Sequence, residues 1–165
     1  MKKKGWKVSV GLDELKKAYE PLRKKYMLPS FVALNAEFDV EKAQDRETQF
    51  ILREFRREIT NKVAAFLHFF ELFLNPQTAP LFVLSALKNL SLHEKEIITR
   101  IYKDLVTLEI EAINLDVKYS EAEEAKFIRE TFRKWQELKP DMERVGEALK
   151  KMQHKSIKEK RSYFG

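Results

Sequence analysis

The sequence predicts an all-α protein, an elongated antiparallel bundle of three to four long helices with short connecting helices. Apolar residues recur at helical spacing over most of the 165 residues. Glycine is missing between Gly11 and Gly146, which disfavours the tight turns of β-hairpins. Several of the five prolines, and two capping sequences, fall where such helices would begin or end.

Two helices are predicted before residue 40. A first helix at about 12–27 has one apolar face, which Pro21 should kink or separate from the first turn, and Pro29 ends it. Ser30 then caps a short segment with helical spacing, and Asp39 is a candidate N-cap for the next helix. The apolar positions of these two segments are Leu15, Tyr19, Leu22 and Tyr26, followed by Phe31, Leu34 and Phe38.

Residues 40–74 contain no proline or glycine and predict one long helix. Thirty-five residues would span about 52 Å at 1.5 Å per residue, which is typical of an extended bundle. Asn75 and Pro76 end this helix. Its apolar stripe consists of Ala43, Ile51, Phe55, Ile59, Val63, Phe66, Phe70 and Phe73.

A shorter helix from about Thr78 to Asn89 leads into the helix that we expect to be central. The capping box of Ser91 and Glu94 begins this central helix, which runs to about Tyr119. Its heptad stripe indicates contact with another helix along its length. A second apolar face predicts that it is flanked on two sides. The heptad stripe is Ile98, Ile101, Leu105, Leu108, Ala112, Leu115 and Tyr119, and the second face is Tyr102, Val106 and Ile113.

A second capping box, at Ser120 and Glu123, begins the last helix. Helical spacing continues to Met152 with one irregular step at Pro140, where we expect a bend rather than a reversal. Its apolar positions are Ala125, Ile128, Phe132, Trp135, Leu138, Met142, Val145, Leu149 and Met152. The chain is thus predicted to be a single domain over residues 1–165, with basic flexible ends at about 1–11 and 154–165.

Composition excludes several classes of site. The absence of cysteine excludes disulfides, thiol nucleophiles and cysteine-ligated metals, and the scarcity of glycine excludes dinucleotide and phosphate loops. The first residues lack the apolar stretch of a signal peptide, and no apolar run is long enough to span a membrane. These features predict a cytoplasmic protein, and the high lysine and glutamate content with no cysteine also fits a thermophile.

The histidines and carboxylates do not predict a metal or catalytic site. A di-iron bundle needs Glu-x-x-His pairs, but the residues three before His68, His93 and His154 are Ala65, Leu90 and Lys151. We assign His68 and Glu71 to a polar seam on the outer edge of the predicted 40–74 helix. That seam comprises Glu54, Arg57, Asn61, His68, Glu71 and Asn75.

Paired carboxylates on the 92–119 helix are assigned to a solvated face. Asp104 and Glu111, and likewise Glu109 and Asp116, are seven residues apart, about 10 Å along a helix. That spacing is too wide for one ion without further ligands. The nearby Asn114 is either a buried register-setting amide or a surface group. No cofactor is predicted.

Basic charge is concentrated at the two ends of the chain. Residues 1–29 carry 9 basic and 3 acidic residues, residues 139–165 carry 8 and 4, and the body between them is net acidic. The arginines at 53, 56 and 57 stand among Glu54 and Glu58, so intrahelical pairing should neutralise much of their charge. The more credible anion-binding surface is the C-terminal one, where Tyr163 and Phe164 add aromatic rings for stacking. Its basic residues are Lys150, Lys151, Lys155, Lys158, Lys160 and Arg161.

The segment 63–87 is apolar on nearly every side, which predicts either the centre of the core or, in part, an interface. The candidate interface residues are Phe69, Phe70, Phe73 and Phe82. Together these patterns favour a non-enzymatic helical interaction or scaffold module that binds a protein partner or its own copy. The alternative is a nucleic-acid-binding accessory protein that uses its basic ends.

Overall fold

The fold is all-helical, as the sequence predicts. A computed structural model describes residues 11–46 and 48–163, apart from the side chains of residues 45 and 155–163. In this part of the chain there are six α-helices, two 3₁₀ helices and no strand. The α-helices are α1 Leu12–Tyr26, α2 Phe31–Phe38, α3 Ile51–Leu74, α4 Leu81–Asn89, α5 Leu92–Val117 and α6 Glu121–Tyr163, and the 3₁₀ helices are Val40–Asp45 and Pro76–Thr78.

The first two helices end and begin close to the predicted positions. Helix α1 continues through Pro21 without separating its first turn, and Met27 ends it in the left-handed conformation. Ser30 caps α2, since its side-chain oxygen accepts a hydrogen bond from the amide of Ala33 at 3.2 Å. Side-chain capping satisfies an amide that has no partner inside the helix.

The prediction of one helix over 40–74 is wrong at its N-terminal end. Asp39 adopts a left-handed conformation and ends α2, a 3₁₀ helix follows, and α3 begins only at Ile51. Local polar groups compete with the helix here, because the Thr48 hydroxyl accepts a hydrogen bond from the amide of Phe50 at 2.9 Å. The side chain of Arg46 also forms ion pairs with Glu54 and Glu58, two buried glutamates of α3.

The capping box before α5 is confirmed in both of its bonds. The amide of Ser91 donates to Glu94 at 2.7 Å, and the amide of Glu94 donates to the Ser91 hydroxyl at 3.2 Å. The heptad stripe is buried from Ile98 to Ala112. The second face is not flanked as expected, since the side chain of Ile113 is exposed.

Helix α6 runs without reversal through Pro140 and continues along the backbone to Tyr163. Pro140 has no amide proton, so the carbonyl four residues before it lacks its usual helical donor. Because α6 extends past Met152, the helical backbone reaches well into the segment that was expected to be a flexible end. The N-terminal segment predicted as flexible, residues 1–10, lies outside the described residues.

The Cα positions group into two compact units, and helices α3, α5 and α6 contribute residues to both. Unit 1 comprises Met1–Val63 and Leu108–Arg133 in their described parts, and unit 2 comprises Ala64–Thr107 and Lys134–Gly165 likewise.

Unit 1 has an aromatic core between α1, α2 and α3. The ring of Tyr19 lies 5.0 Å from that of Phe55 and 6.3 Å from that of Phe31, in tilted and edge-on geometries. Tyr19 also donates a hydrogen bond to the carbonyl of Pro29 at 2.8 Å, which ties α1 to the turn that follows it. Phe38 packs edge-on against Phe132 of α6, so this helix joins the same unit.

Unit 2 is built on the Phe-rich end of α3 and on α4. The rings of Phe66 and Trp135 meet edge-on at 5.1 Å. Burial removes apolar surface from water and holds these helices together. The buried residues of this unit include Phe70, Phe73, Val83, Ala86, Ile98, Ile101, Leu105, Trp135, Leu138 and Val145.

Candidate functional site

Within unit 2, α4 and the C-terminal half of α6 form the walls of an open groove of about 370 Å³. Most of the surface that lines it is apolar. The lining residues are Phe82, Ser85 and Ala86 of α4, and Gly146, Leu149, Lys150, Met152 and Gln153 of α6. We call this feature the α4–α6 groove.

Helix α4 supplies one wall because its short sequence has two apolar faces. Val83 and Ala86 are buried and anchor the helix. The neighbouring residues face outward, with Leu81 85% exposed and Phe82 58% exposed. Large exposed apolar side chains beside a groove are typical of a surface that contacts another molecule.

Helix α6 supplies the other wall, and Gly146 leaves it open. A Cβ atom at Gly146 would meet nothing within 4 Å, so packing inside the chain does not require glycine there. Glycine in a helix interior costs about 1 kcal/mol relative to alanine. The glycine therefore makes α6 less stable and gives a second molecule room to approach its backbone.

The charged residue that lines the groove is Lys150 of α6. It is exposed and donates to Glu147 at 3.0 Å. This hydrogen bond holds the pKa of Glu147 below its usual range. Since both partners of the pair are solvated, the pair is weak and Lys150 is available to another carboxylate.

The structure brings two predicted site residues together, because Phe82 and Lys150 line the same groove. Phe70 and Phe73 are buried, while Phe69 is half-buried and packs edge-on against both rings at 5.4 Å. Of the four candidate interface rings, Phe82 is therefore the one that is mostly exposed. The side chains of Lys155, Lys158, Lys160 and Arg161 lie outside the described residues.

Sequence reasoning missed the small residues of the groove. Ser85 belongs to no recognisable sequence motif. The one available signal was Gly146, because a glycine interrupts the run of good helix formers between Pro140 and Met152.

A second polar constellation lies inside unit 1 around Arg56. This arginine is 1% exposed, and its Nε donates to Oε2 of the fully buried Glu124 at 2.6 Å. It also pairs with Asp116 and donates to the carbonyl of Ala112 at 3.3 Å. Burial raises the pKa of Glu124, and the neighbouring Arg56 offsets part of that rise.

Pairing around the three arginines is therefore mostly between elements rather than within one helix. Arg57 pairs with Glu54 inside α3 as expected, at 2.8 Å. Arg56 instead reaches α5 and α6, and Asp116, which we assigned to a solvated face, is one of its partners. Arg53 lies 5.8 Å from the ring centre of Tyr119. We assign this constellation to structure, because every charge in it faces a partner inside the unit.

The predicted polar seam is exposed except at Glu54. His68 and Glu71 are exposed and stand 3.8 Å apart, as expected of a solvated seam. Glu54 does not belong to that seam, since it is buried against Arg46 and Arg57. Asn114 is exposed, so it is a surface group. Within residues 11–44, 46 and 48–154, whose side chains are described, no three histidine or carboxylate side chains converge as metal ligands would.

Among the described helices, none combines the length and apolar character needed to cross a membrane. Comparison of the sequence with protein-family models and curated proteins, and of the fold with solved structures, finds no match.

Proposed function

We propose that this protein is a non-enzymatic helical interaction module that binds a partner protein in the α4–α6 groove. The observation that carries the proposal is an open, mostly apolar groove whose lining includes the exposed ring of Phe82. Burying such side chains against a partner releases water and favours association.

The groove fits an amphipathic helix with acidic flanks. Two helices form its walls, and small residues at Ser85, Ala86 and Gly146 admit the side chains of an incoming helix. Lys150 in the lining favours a carboxylate on that helix. Apolar contacts would supply the affinity, and Lys150 would select the partner by charge.

The proposal includes the absence of catalysis at this site. Ser85 is the hydroxyl in the groove, and the lining residues supply neither a histidine nor a carboxylate to act as its base. The expected cytoplasmic location is also part of the proposal.

A single fluorescent label tests the groove, because the natural chain has no cysteine. An environment-sensitive dye is attached to Ser85→Cys, which is exposed in the groove. The matched control carries the dye on Ala36→Cys, an exposed residue of α2 in unit 1. Two designed helical peptides are titrated that share the same apolar positions but have glutamate or lysine flanks.

We expect a saturable fluorescence change at position 85 with the glutamate peptide and none at position 36. The substitution Lys150→Glu should weaken binding of the glutamate peptide and strengthen binding of the lysine peptide. If neither peptide changes the fluorescence at position 85, the proposed function is wrong.

The second candidate function is nucleic-acid binding by the basic ends, favoured by the exposure of Lys150 and Lys151 where the C-terminal basic segment begins. It predicts binding of single-stranded nucleic acid that weakens steeply with salt, because displaced counterions drive such binding. A chain ending at residue 149 should lose it. Retained binding by that shortened chain would count against this function.

A further inference from the structure

Five buried side-chain atoms in unit 1 are polar and have no hydrogen-bond partner among the described residues. Such atoms are rare in folded proteins, because each one forfeits the hydrogen bonds that it would make to water. All five belong to α3, α5 or α6, the three helices that the contacts of Arg56 join. They are Nε of Arg53, Oγ1 of Thr60, Oε2 of Glu109, Oε1 of Glu124 and Oγ1 of Thr131.

Two of these atoms lie at the ends of the ion-pair chain around Arg56. Nη2 of Arg53 lies 3.9 Å from Oδ1 of Asp116, the oxygen that Arg56 also binds. Arg56 in turn donates to Oε2 of Glu124. Nε of Arg53 is therefore an unused donor at one end, and Oε1 of Glu124 is an unused acceptor at the other. Burial raises the pKa of Glu124, and the charges of Arg56 and Arg53 offset part of that rise, so the two ends of the chain are near each other.

The other three atoms lie at a second level, one to two helical turns from Arg56. Glu109 and Thr131 are each seven residues from a partner of Arg56, the first on α5 and the second on α6. Seven residues make about two turns, and α5 and α6 run in opposite directions, so both residues stay on the same faces and reach one level. Thr60 follows Arg56 by about one turn on α3, which runs antiparallel to α5.

The two threonines differ from those whose hydroxyls bind their own helix. The hydroxyls of Thr99 and Thr107 on α5 donate to the carbonyls four residues earlier, at 2.9 and 3.1 Å. Thr60 and Thr131 make no such bond within the part of the chain that the structure describes, although Thr131 is fully buried. Their hydroxyls are thus available to a molecule enclosed between the helices.

The chemistry of the five atoms selects a small ligand that both donates and accepts hydrogen bonds. An arginine Nε donates, a carboxylate accepts, and a hydroxyl does either. A metal cation would be repelled by Arg53 and Arg56, and an anion would be repelled by Glu109 and Glu124. Water satisfies all five atoms, and a buried water typically makes about three hydrogen bonds to polar groups that otherwise lack partners.

We infer that unit 1 binds internal water molecules between α3, α5 and α6. One molecule accepts a hydrogen bond from Nε of Arg53 and donates one to Oε1 of Glu124, which closes the ion-pair chain into a ring. Another binds Thr60, Glu109 and Thr131 at the second level. A shift of one helix along another would leave these polar groups buried without partners, so the waters favour a single register of the three helices.

Magnetic relaxation dispersion of the water oxygen tests the inference, because it detects long-lived bound water and is insensitive to hydrogen exchange. We expect a dispersion from the unmodified chain and a smaller one from Thr131→Val, which keeps the shape of the side chain but removes its hydroxyl. Thr131→Ser keeps a hydroxyl and should retain the dispersion. The matched control is Thr107→Val, which should change nothing, because the exposed hydroxyl of Thr107 binds its own helix.

Urea unfolding distinguishes a hydroxyl bound to water from an unpaired one. If Thr131 binds water, Thr131→Val loses that hydrogen bond and should lower the urea midpoint. If the hydroxyl has no partner, the same substitution removes an unpaired polar group and should raise the midpoint. Thr60→Val should reproduce both effects from another helix. The inference is overturned by a raised midpoint, or by a dispersion that the valine variants leave unchanged.

The choice of salt distinguishes water from a cation at the second level. The urea midpoints of the unmodified chain and Thr131→Val are compared in lithium, sodium and potassium chlorides at one ionic strength. Bound water predicts the same difference between the two chains in every salt. A bound metal cation would stabilise the unmodified chain more with one of these ions than with the others, and that result would overturn the inference.

Discussion

Arg56 and Glu124 form an ion pair that is removed from solvent on both sides, with side chains 1% and 0% exposed. The pair joins α3 to α6 over 68 residues of sequence. Each charge has lost its hydration, so each depends on the other for compensation. This interdependence gives a clear prediction for substitutions at the two positions.

Removing one member of the pair should destabilise the protein by about 3–5 kcal/mol, because the other charge stays buried. Glu124→Leu leaves Arg56 with Asp116 alone, and Arg56→Met leaves Glu124 uncompensated. The double substitution should recover most of the loss, since two apolar side chains need no compensation. Urea unfolding of the four chains measures this cycle. If the two single losses simply add in the double variant, the positions are not coupled and the prediction fails.

The hydrogen bond of Tyr19 should make stability depend on alkaline pH. Burial raises the pKa of Tyr19 above its usual value of about 10. Below pH 10 the phenol is protonated in both states, and its contribution to the free energy of unfolding is complete. As the pH rises above 10 the unfolded chain ionises first, so that contribution is progressively lost.

Tyr19→Phe should therefore cost about 1 kcal/mol at neutral pH, through loss of the hydrogen bond to Pro29. The difference between the variant and the unmodified chain should shrink above about pH 10. Chemical unfolding at neutral and alkaline pH measures it, with the half-buried Tyr102→Phe as the control. A difference that stays constant across this range would show that Tyr19 does not carry the pH dependence.

Gly146→Ala should raise stability and weaken docking at the same time. The added methyl group meets no atom in the chain, so the gain in helix propensity of about 0.5–1 kcal/mol is realised in full. The same methyl group narrows the α4–α6 groove, so the glutamate peptide should bind less tightly to the labelled chain. Thermal unfolding and the peptide titration measure the two effects.

The control for this substitution is Gly11→Ala, whose Cβ position is also open. Gly11 is the N-cap of α1, where alanine is poorer than glycine, so little or no gain is expected. Unchanged peptide affinity in Gly146→Ala would argue against an approach of the partner to the α6 backbone.

Unfolding should be a single transition, as expected of one domain. Helices α3, α5 and α6 each contribute residues to both units, so neither unit can unfold without breaking helices of the other. In a Trp6→Phe chain, the fluorescence of the buried Trp135 monitors unit 2. A dye on Ala36→Cys monitors unit 1. Coincident midpoints are expected, and two separate midpoints would show two independently folding units.

Local signals in the sequence were sufficient for most helix ends. Ser30 and the pair of Ser91 and Glu94 bind the backbone amides that their spacing predicts. The start of α3 was missed because it depends on ion pairs of Arg46 with Glu54 and Glu58. The periodicity of residues 40–50 does not reveal these ion pairs. The groove was half predicted, through Phe82 and Lys150, which are marked by their own chemistry.

By itself the sequence determined the all-helical fold, because apolar spacing and capping depend on residues a few positions apart. Only the tertiary structure decided which apolar residues are covered. Phe70 and Phe82 both lie in apolar segments of the sequence, yet Phe70 is buried and Phe82 is mostly exposed at the groove. The same holds for charge, since Arg56 and Arg57 are neighbours and only Arg56 is enclosed by partners from distant helices. Burial depends on which helices meet, and those contacts join residues far apart in the chain.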